Sequence, residues 1–365
     1  MQGGGSKGAF EIGALWGLVK NDPQPEKYEW DVVTGVSGGS LNTAIVTGFA
    51  IGEEEKMVEY ASDLFSNTEN SDAYKMWKLG GLIRGLTDKG GLLDNSPAYD
   101  LVNRVVNELG DNKRKFTVSS VDVNSGAYYL MNDTLPRQDH ARAFVASTLI
   151  PGVFEPDTWG NVTLMDGGTV YNVNLVSAVH QCRDLVDDDS QITIDIIVCG
   201  YPGIDNQWEF KNDMFANWMR YKDIADYHSS TGDVAGFMRA FPNVNFRHLI
   251  APSESIASGL GILDFSNLTS TWPMQMIGRT DGANAVAKEG FLFGKVKEWN
   301  ESADLQKQFP QVGNWIHKVT KDNAREMRKE HRREDAARMD AAQSSMMAEE
   351  VGEIPAGSAW SFMQQ

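Results

Sequence analysis

Positive charge is scarce in this chain of 365 residues: 33 Lys and Arg stand against 50 Asp and Glu, for a formal net charge of −17. An acid excess of that size excludes nucleic acid as an expected partner, because phosphate binding needs a basic face. It also removes simple electrostatic attraction to anionic membranes. Cysteine is scarcer still. The two present, Cys182 and Cys199, are too few for a disulfide framework. Cys199 ends the mostly apolar run from Ile192 to Val198, as a buried strand residue would, and this leans towards a reducing compartment. No apolar run reaches the roughly 18 residues that a transmembrane helix requires. The six histidines (140, 180, 228, 248, 317 and 331) are scattered. No cluster has metal-ligand spacing, and there is no internal repeat. Neither a metal nor a cofactor is expected.

What is present fits one large α/β domain followed by a tail. Hydrophobic residues make up 41% of the chain, ample for a core. Residues 10–20 and 39–50 read as helices, and 53–66 and 97–109 as amphipathic helices, the last opened by Ser96-Pro97. Residues 116–121, 128–131 and 191–199 read as strands, the last apolar enough for a buried parallel strand. The aromatic and methionine-rich stretch 208–239 reads as helical. Such alternation predicts a three-layer α/β/α sandwich with a mostly parallel central sheet. We place the domain at residues 1–300. A charged helical tail at 301–365 follows, neutral overall between Lys318 and Glu350 and ending in the loose segment Ile354-Pro355-Ala356-Gly357-Ser358. Its apolar positions are too sparse for a coiled-coil seam. A solvated helix laced with ion pairs is the plain reading, and a helix that binds a protein partner is the sharper one.

Three glycine-rich motifs carry chemistry. Gly35-Val36-Ser37-Gly38-Gly39 follows the strand-like Trp30-Asp31-Val32-Val33. A serine between glycines, where a strand turns sharply into a helix, is the nucleophile-elbow pattern. Gly3-Gly4-Gly5-Ser6-Lys7-Gly8 leads into the helical stretch 10–20. Its bare backbone N–H groups suit an oxyanion hole, with Gly4 and Gly5 as the main donors and Gly3 and Gly38 as helpers. Asp166-Gly167-Gly168 closes the short strand-like Thr163-Leu164-Met165, which presents an aspartate at a sheet edge. By turn chemistry alone it is an ordinary Asp-Gly turn.

In this order and spacing, the three motifs resemble those of the patatin-like phospholipase family. The segments Gly90–Asp94, Val121–Gly126 and Ala146–Phe154 are similar to family segments as well, so the resemblance covers roughly residues 1–290. It implies a Ser-Asp dyad: Ser37 as nucleophile, Asp166 as the base that takes its proton, and an acyl-serine intermediate that water hydrolyses. Lys7, Gly8, Gly35, Gly39, Gly167 and Gly168 complete the motifs. The implied substrate is a lipid ester, met at a transient membrane or micelle surface by a cytoplasmic or peripheral protein. One departure stands out. The family carries an apolar strand before the glycine loop, whereas only Met1 and Gln2 precede Gly3 here. The expectation is that this first strand is absent or lies upstream of the printed start.

The basic and apolar segment Lys75–Leu86 has two readings, an interfacial flap near the site, or an ordinary acyl-pocket wall or core packing. Two other function classes compete with the dyad. A Ser-His-Asp esterase would use Ser37 and Asp166 with a later histidine such as His180 or His248. A catalytically silent scaffold would bind lipid or a partner without turnover.

Overall fold

Helices and strands form where apolar periodicity puts them. The computed structural model describes residues 1–78, 81–200, 212–257 and 259–290, together with 209, 292, 293 and 296. Its helices are α1 (Gly8–Asn21), α2 (Gly38–Val46), α3 (Glu54–Ser66), α4 (Asn70–Ala73), α5 (Gly81–Thr87), α6 (Ser96–Leu109), α7 (His140–Ala146), α8 (Leu175–Arg183), α9 (Met214–Ala240) and α10 (Trp272–Ala287). Its strands are β1 (Val32–Val36), β2 (Gly91–Leu93), β3 (Lys115–Asp122), β4 (Tyr128–Asn132), β5 (Gly152–Phe154), β6 (Asp157–Trp159), β7 (Val162–Asp166), β8 (Thr193–Ile197) and β9 (Asn245–Ile250). Helix α6 shows the local physics. Pro97 sits in its first turn, where an N–H has no helical acceptor, and Val102, Val105 and Val106 fall on one buried face.

Side-chain alternation along the strands puts helices on both faces of the sheet. Thr34 Oγ1 donates to the carbonyl of Asn174, at the head of α8, at 2.8 Å. On the opposite face, a Cβ on Gly35 would stand 2.3 Å from Thr43 Oγ1 of α2. Strand β3 repeats the pattern: Thr117 accepts from Gln181 of α8, while Phe116 packs on His140 and Phe144 of α7. This is the layering expected of an α/β fold.

The strands fall into one five-stranded and two two-stranded sheets, and their directions correct the expectation of a mostly parallel central sheet. β1 pairs with β3, β8 with β9 and β2 with β5 in parallel, but β3 pairs antiparallel with both β4 and β7. A five-residue turn (123–127) returns β3 into β4, and so short a connection forces antiparallel pairing. Apolar periodicity is the same in either direction, so it carries no signal of strand sense. β4 lies along Thr117–Val121 of β3. β1 faces Lys115–Ser119, and β7 faces Ser120–Asp122. A strand has two edges, so β1 and β7 share the edge that β4 leaves, end to end. Val36 and Asp166 therefore stand opposite the consecutive residues Ser119 and Ser120.

Met1 and Gln2 lie between β1 and β8. The Met1 carbonyl accepts from Val36 N–H at 3.3 Å, and Gln2 N–H reaches Ile197 O at 3.2 Å. Helix α1 is buried on every side and meets α10 backbone to backbone. A Cβ on Gly13 would stand 2.2 Å from Gln275 O, and one on Gly278 2.2 Å from Phe10 O, so glycine alone permits this approach. Residues 1–158 and 162–296 form one compact unit. The expected tail at 301–365 lies outside the described residues, as does most of 208–211. Among the described residues, no helix is long and apolar enough to cross a membrane.

Candidate active site

Ser37 ends β1 and caps α2 with φ 49° and ψ −121°. Among the described residues it is the one non-glycine at positive φ. Holding a side chain there costs about 1–3 kcal/mol, a strain that persists only where the surroundings impose it. Two features impose it. Gly35 and Gly39 are crammed together, a Cβ on Gly35 falling 2.2 Å from Gly39 O. The Ser37 N–H is also tied to Ser147 Oγ at 2.9 Å, and that hydroxyl donates to Ser119 O at 2.6 Å. Ser147 thus pins the elbow to β3. Sequence reasoning gave it no role, although it lies within the 146–154 segment.

Two helix starts converge beside Ser37. The first is the 3₁₀ turn Gly5–Lys7 that leads into α1, and the second is α2 itself. A Cβ on Gly38 would lie 2.5 Å from Gly5 O and 2.9 Å from Gly5 N, so the two backbones abut. Helix starts carry unpaired N–H groups and the positive end of the helix dipole, which favours anionic charge. Gly5 has φ 59°, and a Cβ there would strike Ile262 O at 2.3 Å, so it is bound to glycine twice over. Gly3 differs from its expected helper role. Its N–H is taken up by Asn172 O at 3.2 Å, which leaves Gly4, Gly5 and Gly38 as the candidate donors. Gly8 abuts α2, where its carbonyl accepts from Asn42 Nδ2 at 3.0 Å, and Lys7 is half-buried on the 3₁₀ turn.

Asp166 ends β7 and is buried, as Ser37 is. Its Oδ1 accepts from Gly168 N–H at 2.8 Å. Gly167 is pressed against β3, where a Cβ would stand 2.3 Å from Ser119 O. Asn172 links the two halves of the site. Its Nδ2 donates to Gly3 O at 3.1 Å. A Cβ on Gly3 would meet both Asn172 Oδ1 and Ser37 Cβ, and one on Gly168 would meet Asn172 Oδ1 and Asp166 Oδ1. No motif pointed to Asn172; only the fold brings it against Gly3 and Gly168.

Glu11 is a second residue without a motif, although a carboxylate within the apolar helix 9–19 is itself a signal. It is fully buried. Oε1 accepts from Gln2 N–H at 2.7 Å and Oε2 from Asn42 Nδ2 at 2.8 Å, which ties the approach to the glycine loop to the helix behind Ser37. Burial pushes its pKa from 4.5 up to about 7. The folded chain therefore keeps this proton to higher pH than the unfolded chain, and stability falls as pH rises from about 4.5 to about 7. Glu11→Gln removes the titration and turns an NH₂ towards one of two N–H donors. The variant is expected to flatten the decline in Tm across that window and to lower stability by about 1–3 kcal/mol, the cost of one mispaired buried donor. Melting scans across the window check this, and a profile parallel to the native one would refute it.

Of the histidines named for a triad, one is engaged elsewhere and one is exposed. His248 Nε2 faces the Tyr28 hydroxyl at 3.2 Å, and that hydroxyl donates to Asp22 at 2.8 Å. Burial pushes the His248 pKa down. His180 is exposed on α8. Ser37, Gly5 and Gly38 line an apolar pocket with Leu41, Ile150 and Phe154 in its walls.

Residues 1–179 match the family model of the patatin-like phospholipases, a span that contains the glycine loop, Ser37 and Asp166. No curated protein matches the chain. Among solved structures, the crystal structure of VipD from Legionella pneumophila is similar at 13% identity with a TM-score of 0.39, over 79% of this chain and 66% of that one. This chain thus spans just under two thirds of that relative's length.

Proposed function

With residues 1–179 identified as a patatin-like phospholipase domain, we propose that this chain is a lipid acyl hydrolase working through a Ser37–Asp166 dyad. One observation supports the reading: β1 and β7 meet end to end on β3, with Val36, next before the strained Ser37, and the buried Asp166 opposite the consecutive residues Ser119 and Ser120. Asp166 takes the hydroxyl proton as Ser37 Oγ bonds to the ester carbonyl carbon. Charge then develops on the carbonyl oxygen, where the N–H groups of Gly4, Gly5 and Gly38 stabilise it. The proton passes to the leaving alcohol as the ester C–O bond breaks, and water releases the acid from acyl-Ser37. The engagement of His248 with Tyr28 favours the dyad over a triad, and strain maintained at Ser37 favours an enzyme over a silent scaffold.

Contact with a lipid aggregate has support near the pocket mouth. Ala73 and Leu263 line the pocket, and the Tyr74 hydroxyl donates to Leu263 O at 2.9 Å. The residues that follow expose Met76 at 52% and Ile83 at 72%, with Lys75 and Lys78 also exposed. Leu79 and Gly80 of the expected flap lie outside the described residues. The test is hydrolysis of defined phospholipid, lysophospholipid, galactolipid and glyceride esters by the purified chain. Release of fatty acid from at least one class is expected, faster above its aggregation threshold than below it. No release from any class would overturn the reading.

A further inference from the structure

Buried hydroxyls around the central sheet are bonded. Thr34 Oγ1 donates to Asn174 O, Ser40 Oγ to Phe144 O and Ser147 Oγ to Ser119 O. Ser119 Oγ pairs with the Tyr128 hydroxyl at 2.5 Å. Ser120 is the exception. It is fully buried, and among the described residues its Oγ is the one enclosed hydroxyl without a hydrogen-bond partner. Leaving such a group unpaired lowers stability, and one kept in a native fold often marks a catalytic role.

The position of Ser120 points to that role. It lies directly opposite Asp166 in the β3–β7 pair. The Asp166 N–H bonds to Leu149 O at 2.9 Å, and the Val123 N–H, three pairs along, bonds to Thr163 O at 2.7 Å. Hydrogen-bonded and non-hydrogen-bonded pairs alternate along an antiparallel ladder, so Ser120 and Asp166 form a non-hydrogen-bonded pair. In such a pair the side chains share a face, with Cβ atoms about 4.5–5.5 Å apart. Asp166 Oδ1 accepts from Gly168 N–H at 2.8 Å, and an ionised carboxylate has room for further donors.

Building on the hydrolase reading, we propose that Ser120 is a positioning residue for the base. Its hydroxyl donates to the Asp166 carboxylate during turnover and fixes the plane in which that carboxylate meets Ser37 Oγ. Hydrogen bonds at a catalytic base are often loose in the free enzyme and close only when substrate is bound. A serine hydroxyl needs only rotation about χ1 to make this one. The unpaired hydroxyl of the free chain is then stability given up at a functional site.

The experiment measures kcat and KM for p-nitrophenyl decanoate with the native chain, Ser120→Ala, Asp166→Asn and the double variant, together with their melting temperatures. Ser120→Ala is expected to lower kcat about 10- to 100-fold, the worth of a hydrogen bond to a charged group. KM should stay within about twofold of the native value, because the bond orients the base and does not touch the substrate. The melting temperature should equal or exceed the native one, since the substitution removes a buried hydroxyl that has no partner. In the Asp166→Asn background the same change should lower kcat by less than about twofold, because a residue that acts through the base has no base left to orient. Native kcat in Ser120→Ala would overturn the proposal, and so would an equal loss in both backgrounds. A Ser120→Ala protein that melts well below the native chain or fails to fold would show the hydroxyl to be structural, and would overturn it too. Hydrolysis by the native chain with an unimpaired Ser120→Ala removes Ser120 alone and leaves the hydrolase reading standing. No hydrolysis by the native chain, of this ester or of any lipid class, removes both.

Discussion

Ser37→Ala is expected to hydrolyse esters about 10⁶-fold more slowly than the native chain, the scale of loss when a serine nucleophile is removed. The fold should survive, because alanine keeps the Cβ that the elbow already accommodates and the N–H bond to Ser147 is untouched. Ser37→Gly should be equally inactive but more stable than Ser37→Ala by about 1 kcal/mol, since glycine adopts a φ of 49° without steric cost. That ordering of melting temperatures checks the strain independently of activity. The chemical check is a fluorophosphonate probe followed by intact-mass measurement and peptide mapping. A single adduct on Ser37 is expected, and an adduct on a different serine would remove Ser37 as the nucleophile.

Asp166→Asn should lower turnover about 10⁴-fold, as when a triad aspartate becomes asparagine. Here the expectation has a more direct cause, because Asp166 is assigned the base itself. Asparagine keeps an oxygen for Gly168 N–H, so the turn that presents residue 166 should hold. The informative comparison changes each of the six histidines to glutamine. His140 is buried between Asn112 and Leu135 O and is expected to lose stability when replaced. None should lose activity on the scale of Asp166→Asn while remaining folded. A folded histidine variant that did would replace the dyad with a triad.

The sequence by itself determined the candidate site residues and most of the elements. Glycine spacing singled out Ser37, the loop at Gly3–Gly5 and Asp166, because tight turns and close backbone approaches leave few other residues possible. Periodicity placed α1, α2, α3 and α6 and strands β3, β4 and β8 near their observed bounds, because the 3.6- and 2-residue repeats are local. Tertiary structure decided the direction of β7, and with it the meeting of Asp166 and Ser37 on one edge of β3. It also tied the Gly3 N–H to Asn172 O, brought Asn172 against Gly3 and Gly168, and set Glu11 against the Gln2 N–H. Each of these pairings joins residues far apart in the chain, and a polar side chain reads alike in a short window whether it faces solvent or a distant backbone group. The apolar pocket at Ser37 is of the same kind: its walls draw on α2, α4, α6 and β5 with the segment 262–265, and that space exists only once all of them are packed.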